Sequence, residues 1–399
     1  MSQMRFIEID EPKTLYHVLA ESGLSDIQIE DWNRKAFTYL FKATALESDR
    51  ATFLKQAMVS LGGNGTVYED PAKQFQVILL GNLHQYHQLA NQIDDPSYGL
   101  EKVAIMLREH LVHLSKPVSF ELDCGCQILH LSERTHIMGI LNATPDSFYD
   151  GGQYFSHDRA AERIFEMVAE GADLIDIGGE STRPGSNPVG IDEEIKRVIP
   201  IIELVKGKIP VPISIDTRKS EVAEAAIESG AHMVNDVSGL RFDLKMASVT
   251  ANYHVPIVVM HMKGLPKDMQ QNPEYTDLIG EIYDGLEQSI HIALDHGIAK
   301  DKIIIDPGIG FGKTWDANFI LLKRIKEFNS LGCPMLVGVS RKSFIGKALN
   351  LKENERLMGT AAAVAVSSLK GVHLMRVHDV KEMVQVARIV DHIRFIQES

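Results

Sequence analysis

The sequence predicts an α/β protein, a (β/α)8 barrel preceded by a smaller α/β domain, and three observations predict it. Eight short apolar runs alternate with helical patterns from residue 136 onward. A polar or charged residue closes each run. Residues 1–133 lack that rhythm, and the 399-residue chain is longer than one barrel of about 250 residues requires. The expected domains are therefore 1–133 and 134–399, with the boundary near Leu131 to Thr135.

The eight runs are "HIMGILN" (136–142), "ADLIDIGGES" (172–181), "VPISIDT" (211–217), "HMVNDVS" (232–238), "PIVVMHM" (256–262), "KIIIDPG" (302–308), "PMLVGVS" (334–340) and "HLMRVHD" (373–379). Near-continuous apolar runs suit strands buried on both faces of a parallel sheet. Between them, segments such as "RAAERIFEMVAEGA" and "DEEIKRVIPIIELV" space apolar residues at i, i+3 and i+4, which covers one face of a sheet with helix. A doubly wound open sheet is the rival. The barrel is favoured because Asn142, Glu180, Asp216, Asn235, His261, Asp306, Ser340 and Arg376 fall at strand C-terminal ends, which a barrel gathers on one face.

The first 133 residues offer helical stretches "KAFTYLFKATALESD" (35–49) and "GLEKVAIMLREHLVHLSK" (99–116), and strand-like "FQVILLGN" (75–82) and "VSFELD" (118–123). The turn Gly62-Gly63-Asn64-Gly65 reads as an ordinary glycine turn in preference to a phosphate cradle.

Composition narrows the function classes. Hydrophobic residues at 44% and charged residues at 24% describe a folded globular chain. The net charge of −13 argues against nucleic acid or an anionic membrane as partner, so an anion must be caught locally. Cys124, Cys126 and Cys333 support neither a disulfide framework nor a zinc site, and thiols kept reduced suit the cytoplasm. The N-terminus lacks the basic start and apolar run of a signal peptide, and no apolar stretch is long enough to span a membrane.

Four strand ends carry candidate chemistry. After the first strand, "ILNATPDSFYDGGQYF" exceeds a minimal connection of about two to six residues, and Asn142, Phe148 and Asp150 read as parts of a ligand-contacting loop. After the second, "GGESTRPGSNPVG" offers Thr182 and Arg183 beside the turn at Pro184, a second loop to close a site. Asp216 and Asp306 end apolar strands, with Asn235 between them. Alone, either acid can be a satisfied structural carboxylate; together with Asn235 they can accept the N–H edge of a flat heterocycle. Last, Arg341, Lys342, Arg376 and His378 gather charge after strands seven and eight, where barrels frequently hold phosphate, and Ser343 opens a helix there.

The segment "IDPGIGFGKT" (305–314) imitates a nucleotide-binding P-loop. The spacing fails, since the position needing the first glycine is Pro307, which has no N–H to give. The group of interest is instead Asp306, with the glycines passing close under a ligand and Phe311 and Lys313 at the pocket wall.

Together "MGILNATPDSFYDGG", "GGESTRPG", "SIDTRKSEVAEAA", "VNDVSG", "MHMKG", "DPGIGFGKT", "GVSRKSFIG" and "RVHDV" resemble the dihydropteroate synthase family across the whole barrel half. The resemblance implies condensation of 6-hydroxymethyl-7,8-dihydropterin pyrophosphate with p-aminobenzoate, giving 7,8-dihydropteroate and pyrophosphate. It assigns Asp216, Asn235, Asp306 and Lys342 to the pterin, and Arg376, His378 and Asn142 to the pyrophosphate and its Mg2+, with Asn142 as metal ligand. Ser343 goes to the p-aminobenzoate carboxylate, and Thr182 and Arg183 to the closing loop. Asp216, Lys342, Arg376 and His378 are the expected catalytic residues, and a homodimer is the expected assembly. A pterin-dependent methyltransferase and a non-catalytic pterin-binding protein are the alternatives. Tyr149 and Arg218 depart from the family pattern.

Overall fold

The computed structural model describes residues 12–70, 73–115, 119–144, 149–150, 154–155, 157–181, 186–264, 269 and 273–396. The chain divides into two compact units, Met1–Val118 with Gln397–Ser399, and Ser119–Ile396.

In the first unit, strands Thr38–Leu46, Asn64–Glu69 and Phe75–Asn82 form an antiparallel sheet with Phe75–Asn82 in the centre. Residues 35–49 were expected to be helical, and Thr38–Leu46 is a strand. Thr38, Tyr39, Phe41 and Thr44 favour the pleat, and exposure along the segment alternates with period two. Helices Ser48–Ser60, Leu83–Gln92 and Glu101–Ser115 contribute Leu54, Met58, Leu83, Leu89, Leu107 and Leu111 to one core with Val77 and Leu79. Tyr86 is fully buried there and donates its hydroxyl to the Leu79 carbonyl at 2.7 Å. A β-carbon on Gly63 would lie 2.7 Å from Met58 Sδ and 2.8 Å from the Leu80 oxygen, so this glycine serves close packing.

The second unit is the barrel. Its strands are β1 (His136–Asn142), β2 (Leu174–Gly178), β3 (Ile213–Asp216), β4 (Met233–Asp236), β5 (Ile257–Met260), β6 (Ile303–Asp306), β7 (Leu336–Val337) and β8 (Leu374–Val377). All are parallel, in the order β6-β5-β4-β3-β2-β1-β8-β7. A parallel bridge between Ile305 and Met335 closes the ring, with Ile305 N–H donating to the Pro334 carbonyl at 3.0 Å. All eight expected strands are present.

Alternation along each strand divides the barrel's buried residues. Ile175, Ile177, Ile213, Ile215, Val259, Ile303 and Ile305 face outward into the layer beneath the helices. Met138, Leu174, Met233, Val258, Ile304, Leu336 and Leu374 form a separate inner layer, joined by Leu122, Cys124, Leu129 and Leu131 of the hairpin Glu121–Asp123/Ile128–His130. The hairpin thus belongs to the barrel's base, and the unit begins at Ser119 instead of near residue 133, so "VSFELD" is no strand of the first unit. Two residues above that inner layer come Asp176, Asn235, Asp306 and Arg376, on the same strand faces. The period of two therefore carries a set of polar side chains to the C-terminal mouth.

Candidate active site

The mouth opens into a cavity of about 860 Å3. Asn142, Asp216, Asn235, Asp306, Phe311, Ser340, Arg341, Lys342, Ser343, Arg376 and His378 all line it, so these eleven sequence-selected residues meet in one place. Phe148, Thr182, Arg183 and Pro184 lie outside the described residues. The backbone of Asp150 lies in a short ribbon, Tyr149–Asp150 with Tyr154–Phe155.

At the centre, Arg376 bridges two acids. Its Nε donates to Asp176 Oδ2 at 2.6 Å and its Nη2 to Asp216 Oδ2 at 2.6 Å. Asn235 Nδ2 donates to the same Asp176 oxygen at 2.9 Å. Burial pushes the Asp216 carboxyl up, the Arg376 charge pulls it down, and nearby Asp176 raises it again. The resemblance assigns Arg376 to the diphosphate; its guanidinium is here paired with Asp176 and Asp216. Asp176 was absent from the sequence reading altogether. A lone acid in the apolar run "LIDIG" was the available signal, because a carboxylate there needs a polar interior to face.

Asp306 Oδ1 accepts from the Gly308 N–H at 2.7 Å. Burial pushes the Asp306 carboxyl up to about 6, against that bond and the charges of Lys342, Lys313 and Arg376. Beyond it the chain turns through Gly308, Gly310 and Gly312, with φ of +71°, +87° and +59°. Phe311 stands at the wall with Lys342 Nζ 4.0 Å from its ring centroid. Lys313 does not line the wall. It is buried beneath, where Nζ meets His261 Nδ1 at 3.1 Å, the His261 carbonyl at 3.2 Å and the Phe311 carbonyl at 3.0 Å. Thr314 caps helix Trp315–Arg324, its Oγ1 accepting from the Ala317 N–H at 3.2 Å. The P-loop imitation thus resolves into a buried cation and a helix cap.

His378 is oriented by Ser340, whose Oγ accepts the His378 backbone N–H at 3.1 Å and lies 2.9 Å from Nδ1. Arg341 lines the cavity, but its charge is already paired, because Asp379 binds its guanidinium through Nε at 2.9 Å and through Nη2. Glu180 and His261 do not line the cavity. Glu180 pairs with Arg218 at 3.0 Å and Lys219 at 2.5 Å, and accepts from the Val189 N–H, which ties together both ends of the second loop. Arg356 lines the cavity, was not anticipated, and donates to the Arg341 carbonyl at 2.8 Å.

Residues 138–378 match the family described as pterin binding enzyme. The dihydropteroate synthase of Synechocystis sp. is 45% identical over 271 residues, covering 68% of this chain and 94% of that one. A probable bifunctional folylpolyglutamate synthase/dihydropteroate synthase of Haloferax volcanii is 38% identical over 356 residues, covering 87% of this chain and 42% of that one. The solved structure of Xanthomonas albilineans dihydropteroate synthase with 4-aminobenzoic acid superposes with a TM-score of 0.66 at 40% identity, covering 70% of this chain and all of that one. On the barrel, the polar mouth and these likenesses, the chain belongs to the dihydropteroate synthase family of pterin-binding enzymes.

Proposed function

We propose that the chain joins p-aminobenzoate to 6-hydroxymethyl-7,8-dihydropterin pyrophosphate at this mouth, releasing pyrophosphate and 7,8-dihydropteroate. The observation that carries the assignment of roles is the shared cavity, in which Asp216, Asn235 and Asp306 stand within reach of Arg376, Lys342 and His378. Acids suit the amino-pyrimidine edge of a pterin, and cations suit a departing diphosphate.

In this reading the chain supplies no nucleophile. Asp216, Asn235 and Asp306 hold the pterin ring while Lys342, stacked on Phe311, covers its side. Departure of diphosphate leaves positive charge on the methylene, which the electron-rich dihydropterin delocalises and the carboxylate of Asp216 favours. Arg376 and His378 stabilise the leaving oxygens. Ser343, first residue of helix Ser343–Leu349, and Arg356 at the cavity edge face the carboxylate of p-aminobenzoate, whose amine attacks the methylene and then gives up its proton to the released diphosphate. The loops at 143–155 and 181–190, including Phe148, Asp150, Thr182, Arg183 and Pro184, exclude water.

Mg2+ would depend on the substrate for most of its ligands. No cluster of three His, Cys, Asp or Glu exists among the described residues, so the ion would ride on diphosphate oxygens with the Asn142 side-chain oxygen as its protein ligand. When bound it supplies charge neutralisation to the leaving group. Mixing the two substrates with the protein and measuring pyrophosphate tests the whole reading: release that requires both supports it. Absence of release favours the methyltransferase or the non-catalytic binder.

A homodimer suits one surface. Phe319, Met358, Val366, Leu369, Ile389 and Ile393 are exposed on the neighbouring helices Trp315–Arg324, Leu357–Leu369 and Val380–Phe395. No helix among the described residues is long and apolar enough to cross a membrane, and buried Cys124 and Cys333 are free thiols, which suits a cytoplasmic setting.

A further inference from the structure

Asp176 is the most enclosed acid at the mouth, with no measurable exposure, and its two oxygens are used unequally. Oδ2 accepts both Arg376 Nε and Asn235 Nδ2. Oδ1 is buried and has no hydrogen-bond partner among the described residues. A buried carboxylate oxygen left without a donor is costly, and native proteins rarely keep one without a use.

The neighbouring geometry supplies the use. Arg376 divides its guanidinium between Asp176, through Nε, and Asp216, through Nη2. When a pterin N–H competes for Asp216 Oδ2, the oxygen that now accepts Nη2, as in the function proposed above on which this step rests, that bond to Arg376 is weakened. The guanidinium then needs a second acceptor, and the nearest carboxylate with spare capacity is the one it already touches. We propose that Asp176 is a positioning residue: its free Oδ1 receives the Arg376 Nη2 as Asp216 turns to the pterin, so that Arg376 passes from bridging two acids to a two-point pair with one. A two-point guanidinium–carboxylate pair fixes orientation as well as charge. Arg376 is thereby kept at the mouth for the diphosphate instead of being cast loose by the substrate that displaces it.

Asp176→Asn is the test. The amide oxygen can still accept from Asn235, while the negative charge and the second acceptor are lost. Calorimetric titration with 6-hydroxymethyl-7,8-dihydropterin pyrophosphate should give a Kd about 10- to 100-fold higher than the parent's, the scale of one charge-assisted hydrogen bond, with the KM for p-aminobenzoate unchanged. In an Arg376→Gln background the same substitution should change the Kd less than about twofold, since its role runs through Arg376. Should Asp176→Asn alone fail to fold, the double variant against Arg376→Gln still decides the matter. A parent-like Kd in the single variant, a matching rise in the p-aminobenzoate KM, or an undiminished loss in the Arg376→Gln background overturns the proposal. A parent protein that releases no pyrophosphate from the two substrates instead overturns the function on which it rests.

Discussion

Gly308 passes so close to His261 that a β-carbon on the glycine would lie 2.0 Å from the His261 carbonyl oxygen. The same Gly308 holds a φ of +71° and gives its N–H to Asp306 at 2.7 Å. Gly308→Ala therefore meets both backbone strain and a backbone clash, and is expected to cost about 3 kcal/mol or more. Because relief requires the loop to lift, Asp306 loses its N–H partner too. Thermal melting and pterin titration should both show the loss; a variant with parent-like melting would mean the loop yields freely.

Asp306 sets a pH dependence. Burial holds its carboxyl up at about 6, so the group is protonated below that pH and charged above it. Accepting N–H groups from a pterin requires the charged form, hence affinity falls as the pH drops through about 6, and Asp216, also raised by burial, steepens the fall. A pterin alcohol without the diphosphate is the probe, which keeps phosphate titration out of the measurement. Lys313, itself pushed down to about 7 by burial, is still a cation at pH 6 and favours the carboxylate. Lys313→Met should accordingly move the midpoint upward, and Asp306→Asn should bind weakly at every pH. An affinity flat from about pH 5 to 8 contradicts the assignment of Asp306.

Asp216→Asn keeps the shape of the side chain and removes its charge. If the carboxylate both grips the pterin and favours the developing cation, kcat/KM for pyrophosphate release drops by tens to several hundredfold, about 2–4 kcal/mol. Parent turnover in this variant would exclude Asp216 from the chemistry.

The barrel was legible because its strands are buried on both faces and end in polar residues; eleven of the candidates found at those ends and the turns after them share the cavity. Asp176 escaped because it sits inside β2, two residues short of its last residue Gly178, where only alternation from Leu174 marks it as inward. Arg341 was miscounted as a free charge since its partner Asp379 is distant in sequence and adjacent only once β7 and β8 pair. Thr38–Leu46 was misread because its apolar residues fit helical spacing as well as alternation, and its pairing with Phe75–Asn82 decides between them.

The apolar surface on helices Trp315–Arg324, Leu357–Leu369 and Val380–Phe395 carries the dimer prediction. Met358 is 77% exposed and touches nothing at the cavity, so Met358→Glu should leave folding intact. Placing a carboxylate in an apolar interface should shift sedimentation from dimer to monomer. A parent that already sediments as a monomer would remove this surface from consideration.

The place where the barrel begins is testable by truncation, and the hairpin decides the outcome. Leu122, Leu129 and Leu131 are each no more than 2% exposed, packed with the inner ends of β2, β4, β5, β6, β7 and β8. A chain starting at Ser119 retains them and should melt cooperatively and release pyrophosphate. Starting at residue 134 uncovers the barrel base and forfeits three buried leucines, a loss on the order of 5 kcal/mol at the usual value of a fully buried side chain. That is comparable to the whole stability of many domains. Equal melting temperatures for the two truncations would show that the hairpin is an ornament on a base that seals itself.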